Sequence, residues 1–240
     1  MRGGWFLGLS LVGCLLVAGC GDSCKAVRRA PAENGRLVMA VSLGASSYVY
    51  RDKATGEICG TEVDYARAAA ERLGLKLEIL PTVFPELILA VKLGRADIAA
   101  SSVTITPSRA FDVDFTESYA SGGSVFLYRT GETRPTAALG NAIRIGTQET
   151  SSCQFFLSDH GIDSLLYPKY EDALADFEKG LLDAVFFDAE PIRLAVEKSG
   201  GKYAMTPYFT RERYGIAVRK DYPELLAVLN EVIRARKAEK

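Results

Sequence analysis

The 240-residue sequence lacks several features that would point to particular kinds of chemistry. It has a single histidine, His160, which argues against a histidine-based catalytic triad or a histidine-rich metal site. Its net charge of −1 leaves no basic surplus of the kind typical of nucleic-acid-binding proteins. Five cysteines are too few for a disulfide-dense scaffold. We therefore expect no metal, no cofactor and no nucleic-acid partner.

The first 20 residues are typical of an export signal. Arg2 precedes an apolar run that is short for a membrane span and ends in Val17-Ala18-Gly19-Cys20. Small residues before a cysteine resemble the lipobox of bacterial lipoproteins, in which the chain is cut before the cysteine and the cysteine carries the lipid. We expect residues 1–19 to be a signal peptide, Cys20 to be lipidated and residues 20–35 to be a polar tether. An ordinary signal peptide or an uncleaved anchor is the alternative.

Strand and helix signals alternate through the rest of the chain. The runs "RLVMAVS", "LKLEILP" and "ADIAAS" have the composition of strands, and two helical patterns separate them, ending at Gly74 and Gly94. The second half repeats this alternation. The pattern predicts an α/β fold with mostly parallel sheets flanked by helices.

A weak internal repeat links the two halves. In each, a helix is followed by glycine, two residues, aspartate and an apolar strand: Gly94 and Asp97 in one, Gly180 and Asp183 in the other. Any helix–glycine–strand junction has this appearance, so the repeat alone is weak evidence. Ser102 and Asp188 then lie at the same offset past each glycine. Both follow the carboxyl end of a strand, where open α/β sheets bind ligands.

The stretch "SSVTITPSR", residues 101–109, places hydroxyls and an arginine at such an end. Thr106 is a good helix N-cap, which puts Arg109 in the first turn of a short helix. Free backbone N–H groups there favour an anion, and the guanidinium can grip a carboxylate with two parallel bonds. Ser102 and Thr104 supply further donors. The alternative is that Thr106 only caps the helix and Arg109 is solvated.

Two more polar groups follow strands in the second half. In "GTQETSSCQ", Thr150 or Ser151 can cap the next helix and leave the other hydroxyl free for an anion. Asp188, after "AVFF", can pair with an ammonium group or cap the helix that follows it. Phe84 and Tyr48 are candidate stacking surfaces, although core packing is the common fate of a single aromatic residue.

These stretches together resemble the periplasmic amino-acid-binding proteins of ABC importers, over roughly residues 36–230. The resemblance rests on "GEICGTEVDYARAAAERLGL", "LGRADIAASSVTITPSRAFDVDFTESY", "IGTQETSS", "GLLDAVFFD" and "YGIAVRKD". It implies the two-lobed type II fold of those proteins, with two crossover strands joining the lobes, and closure on a ligand. The implied lobes are 36–128 plus 214–240, and 129–213. It also implies an ABC permease partner, a location in the periplasm or cell envelope, and a monomer.

The resemblance assigns the carboxylate end of an amino-acid ligand to both lobes. Arg109 would bind the α-carboxylate with help from Ser102 and Thr104. Thr150, and Ser151 with it, would hold the same carboxylate from the other lobe.

Asp188 would bind the α-ammonium, and Phe84 would pack on the ligand side chain. Tyr48 would cover the ligand if the loop after the first strand differs in length from that of other members by two residues. Members that bind basic amino acids often carry an aspartate near the position of Leu43. Its absence here predicts a neutral or polar ligand.

An enzyme is the alternative function. Periplasmic cyclohexadienyl dehydratases, which act on prephenate or arogenate, resemble these receptors in fold and add an acid, a role that Glu149 or Glu190 could fill. The lipid anchor favours a receptor held near its permease, and we therefore expect binding without catalysis.

Overall fold

The computed structural model describes residues 31–44, 47–136 and 142–239. The expected signal peptide, Cys20 and most of the expected tether lie outside these ranges. Helices and strands alternate within them, as the sequence predicts. The helices are α1 (Thr61–Arg72), α2 (Leu87–Lys92), α3 (Pro107–Asp112), α4 (Ser152–Asp159), α5 (Tyr170–Glu178), α6 (Ala189–Lys198) and α7 (Pro223–Ala238), with 3-10 turns at Glu33–Gly35 and Phe84–Glu86.

The strands of the described ranges form two five-stranded sheets and two short ribbons. The first sheet has the order β4-β1-β5-β14-β6 and the second has the order β10-β9-β11-β8-β12. The strands are β1 (Arg36–Val41), β2 (Tyr50–Arg51), β3 (Ile58–Cys59), β4 (Lys76–Pro81), β5 (Ile98–Ala100), β6 (Asp114–Phe115), β7 (Ala120–Gly122), β8 (Ser124–Arg129), β9 (Ile145–Gln148), β10 (Leu165–Tyr167), β11 (Ala184–Asp188), β12 (Tyr203–Met205), β13 (Glu212–Tyr214) and β14 (Ala217–Val218).

Each five-stranded sheet is mostly parallel, as the sequence predicts, because four of its five strands run in the same direction. Strand β1 runs parallel to β4 and β5, and β9 runs parallel to β10 and β11. Strand β14 is antiparallel to β5 and β6, and β8 is antiparallel to β11 and β12. Strands β8 and β14 are the one reversed strand of each sheet, because they enter it from the other lobe.

Burial explains why these runs take their observed conformations. Central strand β1 is buried from Leu37 to Val41, as expected of a parallel strand covered on both faces. Edge strand β4 instead alternates at its start, with Lys76 and Glu78 exposed. Helix α1 buries Val63 and Ala66 in the hydrophobic core that also contains Leu37 of β1.

The internal repeat is confirmed in three dimensions. The backbone N–H and carboxylate of Asp97 pair with the backbone of Val38, at 2.8 Å for each bond. Asp183 pairs in the same way with Arg144, at 2.8 and 2.7 Å. Both aspartates therefore fix the start of a central strand. As a result, the carboxyl ends of β5 and β11 occupy equivalent positions, and both lie at the gap between the sheets.

The chain crosses between the sheets twice, through the antiparallel ribbon of β7 and β13. Strand β8 pairs only after the first crossing, in the second sheet, although the sequence-based division placed residues 124–128 in the first lobe. We therefore propose that the first lobe ends near Gly123. Gly122 suits the ribbon, because a Cβ there would lie 2.3 Å from the hydroxyl of Tyr214.

Candidate functional site

A central cavity lies between the two lobes, where the carboxyl ends of β1, β5, β9 and β11 meet. This is the edge at which open α/β sheets bind ligands. The first lobe and the ribbon supply Ser42, Leu43, Tyr48, Phe84, Ser101, Ser102, Thr104 and Tyr214. The second lobe supplies Gln148, Ser151, Ser152, Lys169, Tyr170, Glu171, Phe187, Asp188, Glu190 and Pro191.

The segment 101–109 forms the predicted cap and short helix. The Thr106 hydroxyl accepts the backbone N–H of Arg109 at 3.2 Å, with Pro107 at the first helical position. Ser102 lines the cavity with a positive φ of 54°. Its backbone N–H donates to the buried carboxylate of Glu62 at 2.9 Å. A buried partner therefore holds this loop in an otherwise unfavourable conformation.

Arg109 lies beside the central cavity rather than in its lining. Its Nη1 and Nη2 groups donate to the backbone carbonyls of Thr104 and Thr150, at 2.9 and 3.0 Å. The guanidinium carbon lies 5.5 Å from the centre of the Phe84 ring. Arg109 and Thr150 line an adjoining cavity, which also contains Phe84. Arg109 therefore bridges the lobes and borders the central cavity through Phe84.

The "GTQETSS" segment has one cap and one strained residue. Ser151 caps α4 by accepting the backbone N–H of Gln154 at 3.1 Å, and its own hydroxyl donates to Gln148 at 2.6 Å. Thr150 takes a positive φ of 56° and turns its carbonyl to Arg109. Ser151 and Ser152 line the central cavity, whereas Thr150 does not. The sequence could not separate these adjacent hydroxyls because the distinction depends on the turn.

Asp188 precedes α6, yet its side chain makes no capping hydrogen bond. The carboxylate lines the cavity, with the sulfur of Cys153 at 3.8 Å. Burial, aided by the neighbouring Glu212 carboxylate, raises the pKa of Asp188 to about 8, although Arg109 opposes this rise. A buried carboxyl group of this kind is suited to receive a cation.

Two aromatic residues lie where the sequence placed candidates for stacking. Phe84 and Tyr48 both line the central cavity. Tyr48 meets Tyr119 and Tyr214 edge to face, with ring centres 5.6 and 6.4 Å apart. Both candidates therefore combine packing within the lobe with a surface that faces the cavity.

Sequence reasoning missed several acidic and aromatic groups at the cavity. Glu171 and Tyr170 line it, as does Glu190, which the sequence raised only as a possible catalytic acid. The Tyr170 hydroxyl and Glu190 Oε2 are buried without a hydrogen-bond partner among the described residues. Such groups call for a polar partner. No local sequence signal distinguishes Glu171 and Glu190 as cavity residues, because acidic residues are common in the first turn of a helix.

The described part of the chain has neither a cluster of metal-binding side chains nor a helix suited to span a membrane. No three histidine, cysteine, aspartate or glutamate side chains in it are arranged to hold a metal ion. None of its helices combines the length and apolarity needed to cross a bilayer.

Comparison with known proteins agrees with this geometry. The chain is 28% identical over 193 residues to ABC transporter arginine-binding protein 1 of Escherichia coli, covering 78% of this chain and 79% of that protein. It is 28% identical over 238 residues to the probable histidine-binding protein of Neisseria gonorrhoeae, covering 95% and 88%. The arginine-bound form of ArgBP from T. maritima superposes with a TM-score of 0.78 at 30% identity, covering 84% of this chain and 96% of that one.

The two-lobed fold predicted from the sequence is confirmed by this similarity, and the relatives are binding proteins rather than enzymes. The bacterial extracellular solute-binding proteins, family 3, match residues 37–240, which is most of the chain. The chain therefore belongs to family 3 of the bacterial extracellular solute-binding proteins.

Proposed function

We propose that the protein is an extracytoplasmic receptor that binds an amino acid between its lobes and delivers it to the membrane subunits of an ABC importer. One observation carries the proposal: Asp188 follows a strand at a helix start, yet its carboxylate faces the central cavity instead of capping the helix. A buried carboxylate there suits the α-ammonium of an amino acid. Relatives described as arginine-, histidine- and cystine-binding proteins support this class of ligand.

The ligand carboxylate would lie near Arg109 and the backbone N–H groups at the start of α4. Arg109 has donors left after its two carbonyl bonds, because a guanidinium carries five N–H groups. The first turn of α4, capped by Ser151, presents backbone N–H groups that favour an anion. Ser102 would add a donor from the first lobe.

The ligand side chain would lie near the carboxylates that the sequence left unassigned. The absence of an acid at Leu43 predicted a neutral or polar side chain. Among the residues that the structure describes, three carboxylates, on Glu171, Asp188 and Glu190, line the cavity, against one lysine, Lys169. When Asp188 pairs with the α-ammonium, Glu171 and Glu190 together still exceed the single positive charge of Lys169. We therefore propose a cationic side chain, such as that of arginine, in place of the neutral one.

Lipidation of Cys20 would hold the receptor at the cell envelope, and we propose that it acts there as a monomer. The proposal of a dehydratase has less support, because Glu149 lies outside the lining of the central cavity. Glu190 lines the cavity but is accounted for by a cationic ligand.

Ligand binding to the purified chain tests the proposal. A thermal-shift screen of the common amino acids should show stabilisation by those that bind, because a ligand held only by the native state raises its stability. Calorimetry should then rank L-arginine above L-glutamine. Stabilisation by no amino acid would overturn the receptor proposal. A preference for glutamine would overturn only the cationic side chain.

A further inference from the structure

Glu212 occupies a special position between the lobes. It lies on β13, in the ribbon that joins them, and is 7% exposed. Its carboxylate accepts hydrogen bonds from four hydroxyl groups: those of Thr104, Ser124, Ser152 and Thr210. The stretches that carry the resemblance to amino-acid-binding proteins do not include it, and the sequence analysis gives it no role. A buried carboxylate with this many donors is held in one orientation.

The two oxygens of Glu212 have different surroundings. Oε2 accepts from Thr104 of the first lobe at 2.5 Å and from Ser152 of the second lobe at 2.8 Å. Both of these hydroxyls line the central cavity. Oε1 accepts from Ser124 and Thr210, at 2.8 Å each, and neither of those residues lines it. The Oε2 oxygen is therefore the one bonded to residues of the cavity lining.

The direction of these bonds limits what the two cavity hydroxyls can bind. A hydroxyl has one hydrogen and two acceptor lone pairs. When the hydrogens of Thr104 and Ser152 point to Glu212, only their lone pairs face the cavity. These oxygens then accept from a ligand N–H and cannot donate to a ligand carboxylate. This replaces the sequence-based expectation that Thr104 helps to bind the carboxylate.

We propose that Glu212 is a positioning residue that fixes Thr104 and Ser152 as acceptors for the ligand ammonium and ties their two lobes together in doing so. The inference rests on the proposed binding of an amino acid. It assigns the ammonium a site composed of Asp188 and two oriented hydroxyl oxygens, with Glu212 acting through the hydroxyls rather than on the ligand.

The Glu212→Gln substitution tests this orientation. A glutamine amide keeps the shape of the side chain but places an N–H₂ group where one oxygen stood. If that group faces Thr104 and Ser152, their oxygens must accept from it, and their hydrogens turn toward the cavity. A donor facing an ammonium repels it. Amino acids should therefore lose more affinity than analogues without the α-amino group.

The experiment measures binding by calorimetry for two pairs of ligands. The pairs are L-arginine with 5-guanidinopentanoic acid, and L-glutamine with its des-amino analogue. Glu212→Gln should lower the affinity for the amino acid by about tenfold or more relative to that for its analogue. This is the scale of one hydrogen bond to a charged group. Thr210→Val is the matched control, because it removes a donor to Glu212 on the side away from the cavity. It should lower stability and leave the ratio of affinities unchanged.

A second pair of variants covers the case in which Glu212→Gln does not fold. Thr104→Val removes the acceptor and should give the same selective loss, whereas Thr104→Ser keeps the hydroxyl and should not. Equal weakening of both ligands of a pair by Glu212→Gln, or by Thr104→Val, would overturn the inference alone. Failure of the wild-type protein to bind any amino acid would overturn the proposed function itself.

Discussion

Arg109 of the first lobe donates a hydrogen bond from Nη2 to the backbone carbonyl of Thr150 in the second lobe, at 3.0 Å. Nη1 donates to Thr104 in its own lobe at 2.9 Å. The guanidinium thus contributes to closure of the lobes as well as to the charge near the site. Its planar arrangement of donors makes this dual use possible, since two N–H groups can hold carbonyls while others remain for a ligand.

Arg109→Met should therefore remove most of the affinity for an amino acid. A loss of roughly 2–5 kcal/mol is the scale expected when one partner of a buried charge pair is truncated. Arg109→Lys should also bind amino acids weakly, because the compact ammonium group of lysine cannot donate the two parallel hydrogen bonds of a planar guanidinium. Calorimetry measures both. Arg129→Met is a matched control, because Arg129 also packs on a phenylalanine ring, that of Phe177, and bonds backbone carbonyls away from the cavity. Wild-type affinity in Arg109→Met would exclude a role in binding.

Binding should release a proton from Asp188. Its pKa of about 8 leaves the group mostly protonated near pH 7, and an incoming ammonium favours the carboxylate. Affinity should then rise from pH 6 to pH 8, by at most about tenfold per pH unit. Calorimetry in buffers with different ionisation enthalpies counts the released protons.

Asp188→Asn should abolish that proton release and the pH dependence of affinity. It should lower the affinity for amino acids much more than the affinity for their des-amino analogues. Equal weakening of both classes would mean that Asp188 acts on the helix rather than on the ligand.

Glu62 should make the ligand-free protein less stable as the pH rises. Burial raises its pKa to about 7 from an ordinary value of 4.5, although hydrogen bonds from Tyr119 and the Ser102 backbone oppose the rise. A raised pKa means that the native state binds the proton more tightly. The contribution to stability is complete below about pH 4.5 and is lost as the pH passes through about 7.

Urea unfolding of wild type and Glu62→Gln at pH 5, 6, 7 and 8 tests this sign. The free energy of unfolding of the variant should fall less over this range. Glu78→Gln, at an exposed ion pair, is the control and should follow wild type. A constant difference between wild type and Glu62→Gln would contradict the prediction.

Glu190 should select for a cationic side chain. Its Oε2 atom is buried without a partner among the described residues, a costly arrangement that a guanidinium or ammonium would relieve. Glu190→Gln should lower the affinity for L-arginine by about tenfold or more and change the affinity for L-glutamine little. Glu197→Gln, on the exposed face of the same helix, is the matched control. Loss of both ligands to the same extent would point to a structural role for Glu190.

Cys20 should carry the lipid that anchors the protein. Cys20→Ser should block the modification and leave an unlipidated precursor, because the serine hydroxyl cannot form the thioether. Labelling cells with a fatty-acid probe and recovering the membrane fraction measures this. Equal label on wild type and variant would rule out Cys20 as the modified residue.

The sequence by itself determined the alternation of strands and helices, the repeat around Asp97 and Asp183, and the stretches that place Ser102 and Asp188 at strand ends. These features are local, because hydrophobic period, glycine stops and caps act over a few residues. They were enough to predict the fold and the family, which the comparisons confirm. The mostly parallel sheets that they predict are also observed, but the single reversed strand in each sheet, β14 or β8, is not predicted, because local pattern does not record the direction in which a strand enters its sheet.

Only the tertiary structure decided which side chains meet at the cavity. Glu212 lies 108 residues from Thr104 along the chain, yet its carboxylate and that hydroxyl are 2.5 Å apart. Glu190 and Glu171 acquire a position beside Asp188 only when α5 and α6 pack on the second sheet. Burial then changes the chemistry of these groups, since the pKa of Asp188 depends on what surrounds it in space and not on its neighbours in sequence.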